Sequence, residues 1–436
     1  MRGIAATFGF LAAFAVQPGA AEPLVCDVAE HGARPDDEVA DTAAFQRAID
    51  ACAGRGGRVH VPAGRFRLGQ IRLGSAMELH LAPGSVLQAS TALADFPSIN
   101  ALGGDRAFIV GDGVRDLAIT GTGVVDGQGP IWWRRVRLPG YRDTELAPDA
   151  DAQRFRFGLV LHGCSNVKVR DVTIRDTPMF LMGLSECENV VVDGVTLSAP
   201  TDSPNTDGLQ VIDSSDVRVS NCRIAVGDDG IVTKARRRVI ERLQVVNCYI
   251  RSDDGAIKFG TRSQSGVRDS LFSNIVIDQS RYGIALFMIQ GGVYENNRFD
   301  NLRIVNGGRH ARHFPIFVDI DDRAGLGTVR GLTFDGLDIT TPGNILIGGH
   351  PRAPVSDVTL SNIRMRIVGA QDLPRTAGKP RGNRRFKPVP GSPDHSGVNA
   401  HIVLGHVAGA RLSGIDVAGA ERPLLATPGS TSITRE

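Results

Sequence analysis

The chain has 436 residues, with 49 Lys and Arg against 47 Asp and Glu, so a net charge of +2 gives no electrostatic footprint for nucleic acid. This length can bury a sizeable core. With 52 glycines and only 6% aromatics, the composition suits a turn-rich β protein better than a helical one.

The first element is a targeting segment. Arg2 precedes the apolar run Ile4 to Val16, and Gly19 and Ala21 stand at the minus-three and minus-one positions of a cleavage site. The run is too short for a membrane span, and no later stretch is long and apolar enough for one. Residues 1–21 are therefore expected to be a signal peptide. The mature chain, 22–436, is expected to be one secreted or periplasmic domain without a membrane span, and a monomer. All six cysteines, at 26, 52, 164, 187, 222 and 248, lie in this part. Export permits disulfides, and Cys26 and Cys52 flank a predicted helix as the candidate pair. No C-x-x-C spacing marks a metal or redox site.

Further along, residues 134–157 and 371–399 break the pattern around them and are expected to be loops over a cleft. The second, "QDLPRTAGKPRGNRRFKPVPGSPDHSGVN", is basic and dense in Pro and Gly. Between and beyond them the chain repeats. "NVKVRDVTI" from Asn166 recurs as "NVVVDGVTL", "DVRVSNCRI", "RLQVVNCYI", "DSLFSNIVI" and onward to "ARLSGIDVA". The first apolar residue after each bend is Val172, Val195, Cys222, Cys248, Ile275, Leu302, Leu337, Ile363 and Ile415. The spacings are 23, 27, 26, 27, 27, 35, 26 and 52, the last being two periods. Short strands at this period without intervening helices describe a solenoid of parallel strands, whose coils bury an apolar face only by stacking. Cys222 and Cys248 fall on the inward column and are expected to be buried thiols. Asn221, Asn247, Asn274, Asn301 and Asn362 precede that column and are placed for an amide ladder at the bend.

Three Asp-Gly turns, "SPNTDG" at 203–208, "GDDG" at 227–230 and "SDDG" at 252–255, follow the same period. Aligning Gly208, Gly230, Gly255 and Gly283 stacks Asp207, Asp229, Asp254 and Tyr282, with Asp228 beside Asp229. Carboxylates this close resist joint ionisation, so one proton is held to raised pH. An acid beside ionised carboxylates is what glycosidic cleavage needs. Calcium suits the same oxygens and is the alternative use of the cluster.

The sequence resembles the polygalacturonase family of glycoside hydrolases, which are right-handed parallel β-helices. The likeness is carried by "HGARPDDEVADTAAFQRAIDAC" (31–52), "GGRVHVPAGRFRLGQIRL" (56–73), "ITGTGVVDGQGPIWW" (119–133), "NTDG" (205–208) and "GDDGIVTK" (227–234). It implies an all-β parallel β-helix with a short N-terminal helical cap. It also implies hydrolysis of a plant-cell-wall, pectic polysaccharide or oligosaccharide with inversion at the anomeric carbon. By the same likeness Asp228 is the general acid, Asp207 and Asp229 activate the water, Asn205 assists beside them, and no metal or organic cofactor is needed.

The departures from that pattern concern sugar binding. Asp253-Asp254-Gly255 stands where the family carries Gly-His-Gly, and Ala285 and Phe287 stand where it carries Arg-x-Lys. On the stacking above, Asp254 lies about 4.8 Å from Asp229 and repels it by about 3 kcal/mol. The cleavage subsite is then expected to prefer a neutral or deoxy sugar, with Asn205, Asp254, Lys258, Tyr282 and Phe287 as contacts. The competing use of Asp254 is an ordinary ion pair with Lys258. Two rival functions remain, a polysaccharide lyase and a non-catalytic glycan-binding β-helix. Reducing ends without ultraviolet absorbance separate the hydrolase from both.

Overall fold

A computed structural model describes residues 24–136, 149–322, 324–375 and 393–436. Every pairing between its strands is parallel, each strand bonding to its counterpart one coil before and one coil after. The strands form a 24-stranded sheet that supplies two faces of each coil and a 12-stranded sheet that supplies the third. The chain is thus a parallel β-helix, as the 26-residue periodicity requires.

Side chains alternate across each strand, so one set points into the coil. On the 12-stranded sheet the inward set includes Leu159, Met182, Leu209, Ile231, Ile257, Ile284 and Ile316, all buried and all in one register column. Burying such a side chain is worth about 1.5–3 kcal/mol, and a one-residue slip would turn the whole set outward. These residues therefore fix which outward residues become neighbours.

The bends are built as the repeat predicts. Asn221, Asn247, Asn274, Asn301 and Asn362 all have φ between 52° and 56°, a left-handed conformation that Asn tolerates because its amide bonds locally. Their side chains form the ladder. Asn247 donates to Asn221 at 3.4 Å, Asn274 to Asn247 at 2.7 Å and Asn301 to Asn274 at 3.3 Å. Gly336 interrupts it, again at positive φ, and Asn362 donates to Asp335 instead.

The N-terminal end of the solenoid is closed by the helix Thr42–Cys52, whose buried residues Phe45, Ala48, Ile49 and Cys52 repeat at helical spacing. Cys26 and Cys52 are bonded, with Cα atoms 6.1 Å apart. Cys164, Cys187, Cys222 and Cys248 are free and buried. Among the described residues no helix is long and apolar enough to cross a membrane.

The boundaries of the first expected loop need correction. A helix, Gly129–Val136, runs past residue 134 because Trp132, Trp133 and Val136 form its buried face. Phe157 is already the first residue of the strand Phe157–His162. Residues 137–148 between them lie outside the described residues, as do the expected signal peptide 1–21 and residues 376–392 of the second loop.

Candidate active site

The outward face of the 12-stranded sheet carries the acidic motifs. Asp207 and Asp229 each stand just before a strand, Leu209–Ile212 and Ile231–Lys234, whose first residues are register partners. The Asp-Gly pairing has a steric reason. A Cβ at Gly208 would come 2.5 Å from the carbonyl oxygen of Gly230, and one at Gly230 would come 2.6 Å from that of Ala256. Backbones of adjacent coils meet there, so only glycine follows the outward aspartate.

Side-chain contacts join the two acidic turns. The Thr206 hydroxyl accepts from Gly227 N–H at 3.0 Å and hydrogen-bonds with Ser203 at 2.6 Å. As a result one carboxylate oxygen from each of Asp207, Asp228 and Asp229 lies within 4.8 Å of the others. Asp207 and Asp229 are buried, whereas Asp228 reaches the groove surface.

The electrostatics separate the three. Dense surroundings, then the charges of Asp229 and Asp207, push the Asp228 carboxyl far above the usual carboxylate range. Burial pushes Asp229 up to about 7, against the pull of the Lys258 ammonium. Burial also raises Asp207, opposed by Lys234 and Lys258. Gln210 donates to Asp207 at 2.6 Å and Lys234 stands 3.8 Å from it. The arrangement can hold a proton on Asp228 beside two carboxylates that face cations.

Two residues that motif reading did not single out support this cluster. Arg154 is fully buried, donating to the carbonyls of Pro178 at 2.8 Å and Pro204 at 3.2 Å and to the Asn205 side-chain oxygen at 2.8 Å. Asn205, at φ 56°, donates its side-chain amide to Asp228 at 3.5 Å, not to Asp207 beside which it was expected. Phe180 lies level with Asp207, one coil earlier, and is partly exposed to the groove. Lys234 and Arg156 stand 5.9 and 5.8 Å from its ring centre. The sequence signal for both was weak. Arg154 sits in an irregular segment, and Phe180 follows the same in-out alternation as any other strand residue.

The third acidic turn is displaced from its expected place. Ile231 pairs with Ile257, and Gly255 with Tyr282. Gly255, not Asp254, is therefore level with Asp229, and the column through the site reads Phe180, Asp207, Asp229, Gly255, Tyr282. Asp254 falls one residue earlier, on the turn. There it meets Lys258 at 3.1 Å and Arg281 at 3.1 Å. Burial works against its ionisation, but those two cations outweigh burial and hold its carboxyl well below the usual range. The expected uncompensated repulsion between Asp254 and Asp229 is thus corrected, because a lysine stands between them and an arginine flanks them. Asp253 is likewise neutralised, by Arg309 at 2.8 Å, and hydrogen-bonds with His310 at 3.0 Å.

Three expected sugar contacts also change place. Lys258 is buried, with Nζ 2.9 Å from Asp229. Tyr282 and Phe287 are 1% and 8% exposed and pack with Ala285, Phe314, Phe317 and Leu346, Val398 lying against them. They form a covered apolar patch rather than a groove surface, since Phe314, Phe317, Leu346, Ala400 and Val403 pack with them. Phe180, by contrast, is partly exposed.

Comparison with known proteins places this geometry. The model of the family described as "Glycosyl hydrolases family 28" matches residues 53–369. A probable polygalacturonase of Vitis vinifera is 24% identical over 395 residues, covering 80% of this chain and 75% of its own length. An exo-poly-alpha-D-galacturonosidase of Dickeya chrysanthemi is 28% identical over 344 residues, covering 65% of this chain and 56% of its own length. Among solved structures, a family 28 exopolygalacturonase of Yersinia enterocolitica superposes with a TM-score of 0.72 at 19% identity. That superposition covers 94% of this chain and 79% of the other. A polygalacturonase from Erwinia carotovora does so with 0.60 at 20% identity, covering 81% and 96%.

Proposed function

The chain belongs to glycosyl hydrolase family 28, and on that premise we propose that it is an exported enzyme that hydrolyses a pectic polysaccharide through Asp228, Asp207 and Asp229. The observation that carries this reading is the grouping of three carboxylates within 4.8 Å, of which, among the described residues, only Asp207 and Asp229 form ion pairs.

Asp228, reaching the groove and holding its proton, donates it to the departing glycosidic oxygen. Asp207 and Asp229, ionised beside Lys234 and Lys258, accept hydrogen bonds from one water and take its proton as it attacks the anomeric carbon. Most inverting glycosidases separate their carboxyls by about 6.5–9.5 Å. Here one oxygen of each lies within 4.8 Å of the others, and the water held by Asp207 and Asp229 attacks the face of the anomeric carbon opposite the oxygen that Asp228 protonates. Attack by water rather than by a carboxylate inverts the anomeric centre. No step calls for a metal, because the cluster's charge is already met by lysines.

Sugar recognition differs from an Arg-x-Lys arrangement on the next coil, whose positions are the buried Ala285 and Phe287. The groove surface before the acids instead offers Phe180 between Lys234 and Arg156. An apolar ring suits the apolar face of a sugar, and Lys234 and Arg156 beside it, each already paired with one carboxylate at 3.8 and 2.8 Å, can share a further carboxylate borne by that sugar. An anionic residue is therefore placed on the Phe180 side, while the cleaved bond lies over Asp228.

The test is digestion of defined pectic oligosaccharides read by mass spectrometry and ultraviolet absorbance. Products gaining one water per cut, without absorbance, are expected. Absorbing products would mean a lyase, and unchanged oligosaccharides that still bind would mean a non-catalytic module.

A further inference from the structure

The site contains more charge than the three acids need. Lys258 lies on the strand Gly255–Phe259 and pairs in register with Val232 on one side and Ala285 on the other. Its ammonium donates to Asp229 Oδ1 at 2.9 Å and to Asp254 Oδ2 at 3.1 Å. Asp254 Oδ1 in turn accepts from Arg281 Nη1 at 3.1 Å. A chain of alternating charge, Asp229–Lys258–Asp254–Arg281, therefore extends from the acidic cluster to the next coil.

Gly255 makes this path available. A Cβ at 255 would stand 3.2 Å from Lys258 Cβ and 3.3 Å from Asp229 Oδ1, so any larger residue level with Asp229 would crowd the lysine stem. The same glycine donates its N–H to Asp229 Oδ1 at 3.2 Å. Asp229 thereby receives two hydrogen bonds that favour its ionised form, and neither of them reaches Asp228.

The groups around the ammonium come from four coils. Asp207 and Lys234 lie on the side of the earlier coils, Asp228 and Asp229 face it from the adjacent turn, Asp254 from its own turn, and Arg281 and the Phe287 ring, 5.6 Å away, from the next coil. His310 adds a further group beside Asp254 and Asp253. With Asp207, Asp229 and Asp254 ionised, three anions face Lys234, Lys258 and Arg281. Among the described residues Asp228 is then the one of these four carboxyls without an ion pair of its own, the more distant Lys258 being shared with Asp229 and Asp254.

We infer that Lys258, locked by Asp254 and Arg281, is a positioning residue that assigns the proton within the neighbouring acids, holding Asp229 ionised so that Asp228 carries it. The inference rests on the hydrolytic reading above for its activity readout, and on geometry alone for its direct readout. Burial opposes the charge on Lys258, but Asp229, Asp254 and Asp228 hold its ammonium far above the ordinary lysine range, so the cation persists at every pH at which the acids titrate. It is an assigning charge rather than a titrating one.

The test pairs two substitutions with opposite signs. Lys258→Met removes the cation and is expected to lower kcat roughly a hundred-fold or more, with the acid limb of the pH profile moved to higher pH. Asp254→Asn removes a competing anion while leaving the lysine, and is expected to move that limb to lower pH. Lys258→Arg should restore part of the Lys258→Met loss. Carboxyl-carbon NMR titration of aspartate-labelled, substrate-free protein reads the same shifts without any reaction. Wild type that cleaves nothing would sink the hydrolase reading and leave this titration to decide the role of Lys258. Coincident titrations of wild type and both variants, or an activity loss confined to KM, would overturn the assignment. If Lys258→Met does not fold, the downward shift in Asp254→Asn remains the deciding measurement.

Discussion

Arg154 donates to the side-chain oxygen of Asn205 at 2.8 Å, and Asn205 stands against the proposed acid, Asp228. A fully buried guanidinium thus fixes the residue beside the acid while also tying the carbonyls of Pro178 and Pro204. Burial lowers its pKa to about 10, with Asp151 the partner that opposes this. Arg154→Met would leave the Pro204 carbonyl and the Asn205 oxygen without the guanidinium donor, while the Pro178 carbonyl would keep only Trp133 Nε1 at 3.2 Å. It should cost about 3 kcal/mol of stability and lower kcat as Asn205 drifts. Denaturant unfolding and steady-state kinetics on the same preparation check both. Unchanged kcat would show that the strut serves only the fold.

Removing the acid should have two effects of opposite value. Asp228→Asn is expected to lower turnover by about a hundred- to ten-thousand-fold. The Asp207→Asn and Asp229→Asn losses should be comparable and should not add to it, because the three act as a unit.

The same Asp228→Asn variant should be more stable than wild type at neutral pH. The folded-state pKa of Asp228 is raised, chiefly by burial. Its contribution to stability is therefore fully present below the unfolded-state pKa near 4 and is lost as pH rises towards the folded value. The melting-temperature advantage of the variant should be absent near pH 3 and grow as pH rises. A constant advantage across pH would mean that Asp228 titrates normally.

Activity should follow a bell whose acid limb belongs to the water-binding pair. Asp229 is pushed up to about 7, so protonation of that pair should depress kcat/KM at higher pH than an ordinary carboxylate would. The alkaline limb reports loss of the Asp228 proton. The limbs are properties of the coupled set, read as apparent values. A single acid limb near pH 4 would contradict the geometry.

Phe180 tests the proposed sugar subsite. Phe180→Ala removes the surface between Lys234 and Arg156 and should reduce kcat/KM about ten-fold, near 1.4 kcal/mol, mainly through KM. The loss should be greater for substrates that carry carboxylates than for methyl-esterified ones. Equal losses on both would place the carboxylate elsewhere.

Most of the architecture was legible because a solenoid writes its period into the chain. The inward apolar columns, the Asn bends and the Cys26–Cys52 pair could all be read from residue type and spacing. The register of the third acidic turn could not be read from its Asp-Gly dipeptide. Coil lengths vary, and the match of Gly255 to Gly230 is one residue off the true pairing. The stronger signal was present in Ile231, Ile257 and Ile284, because buried β-branched side chains, not turn glycines, set the register. Arg154 and Phe180 were missed for a different reason. Their roles depend on what a turn brings from two coils away, and no local pattern encodes that. Ala285 and Phe287 were read as an altered sugar surface, whereas the residues stacked around them form a covered apolar patch.

The most direct measurement of the central claim is NMR of the first products released from a pectic oligosaccharide. A saturated product is expected whose new reducing end has the anomeric configuration opposite to that of the bond cut, and none from Asp228→Asn. A retained configuration, an unsaturated product, or undiminished release by Asp228→Asn would contradict it.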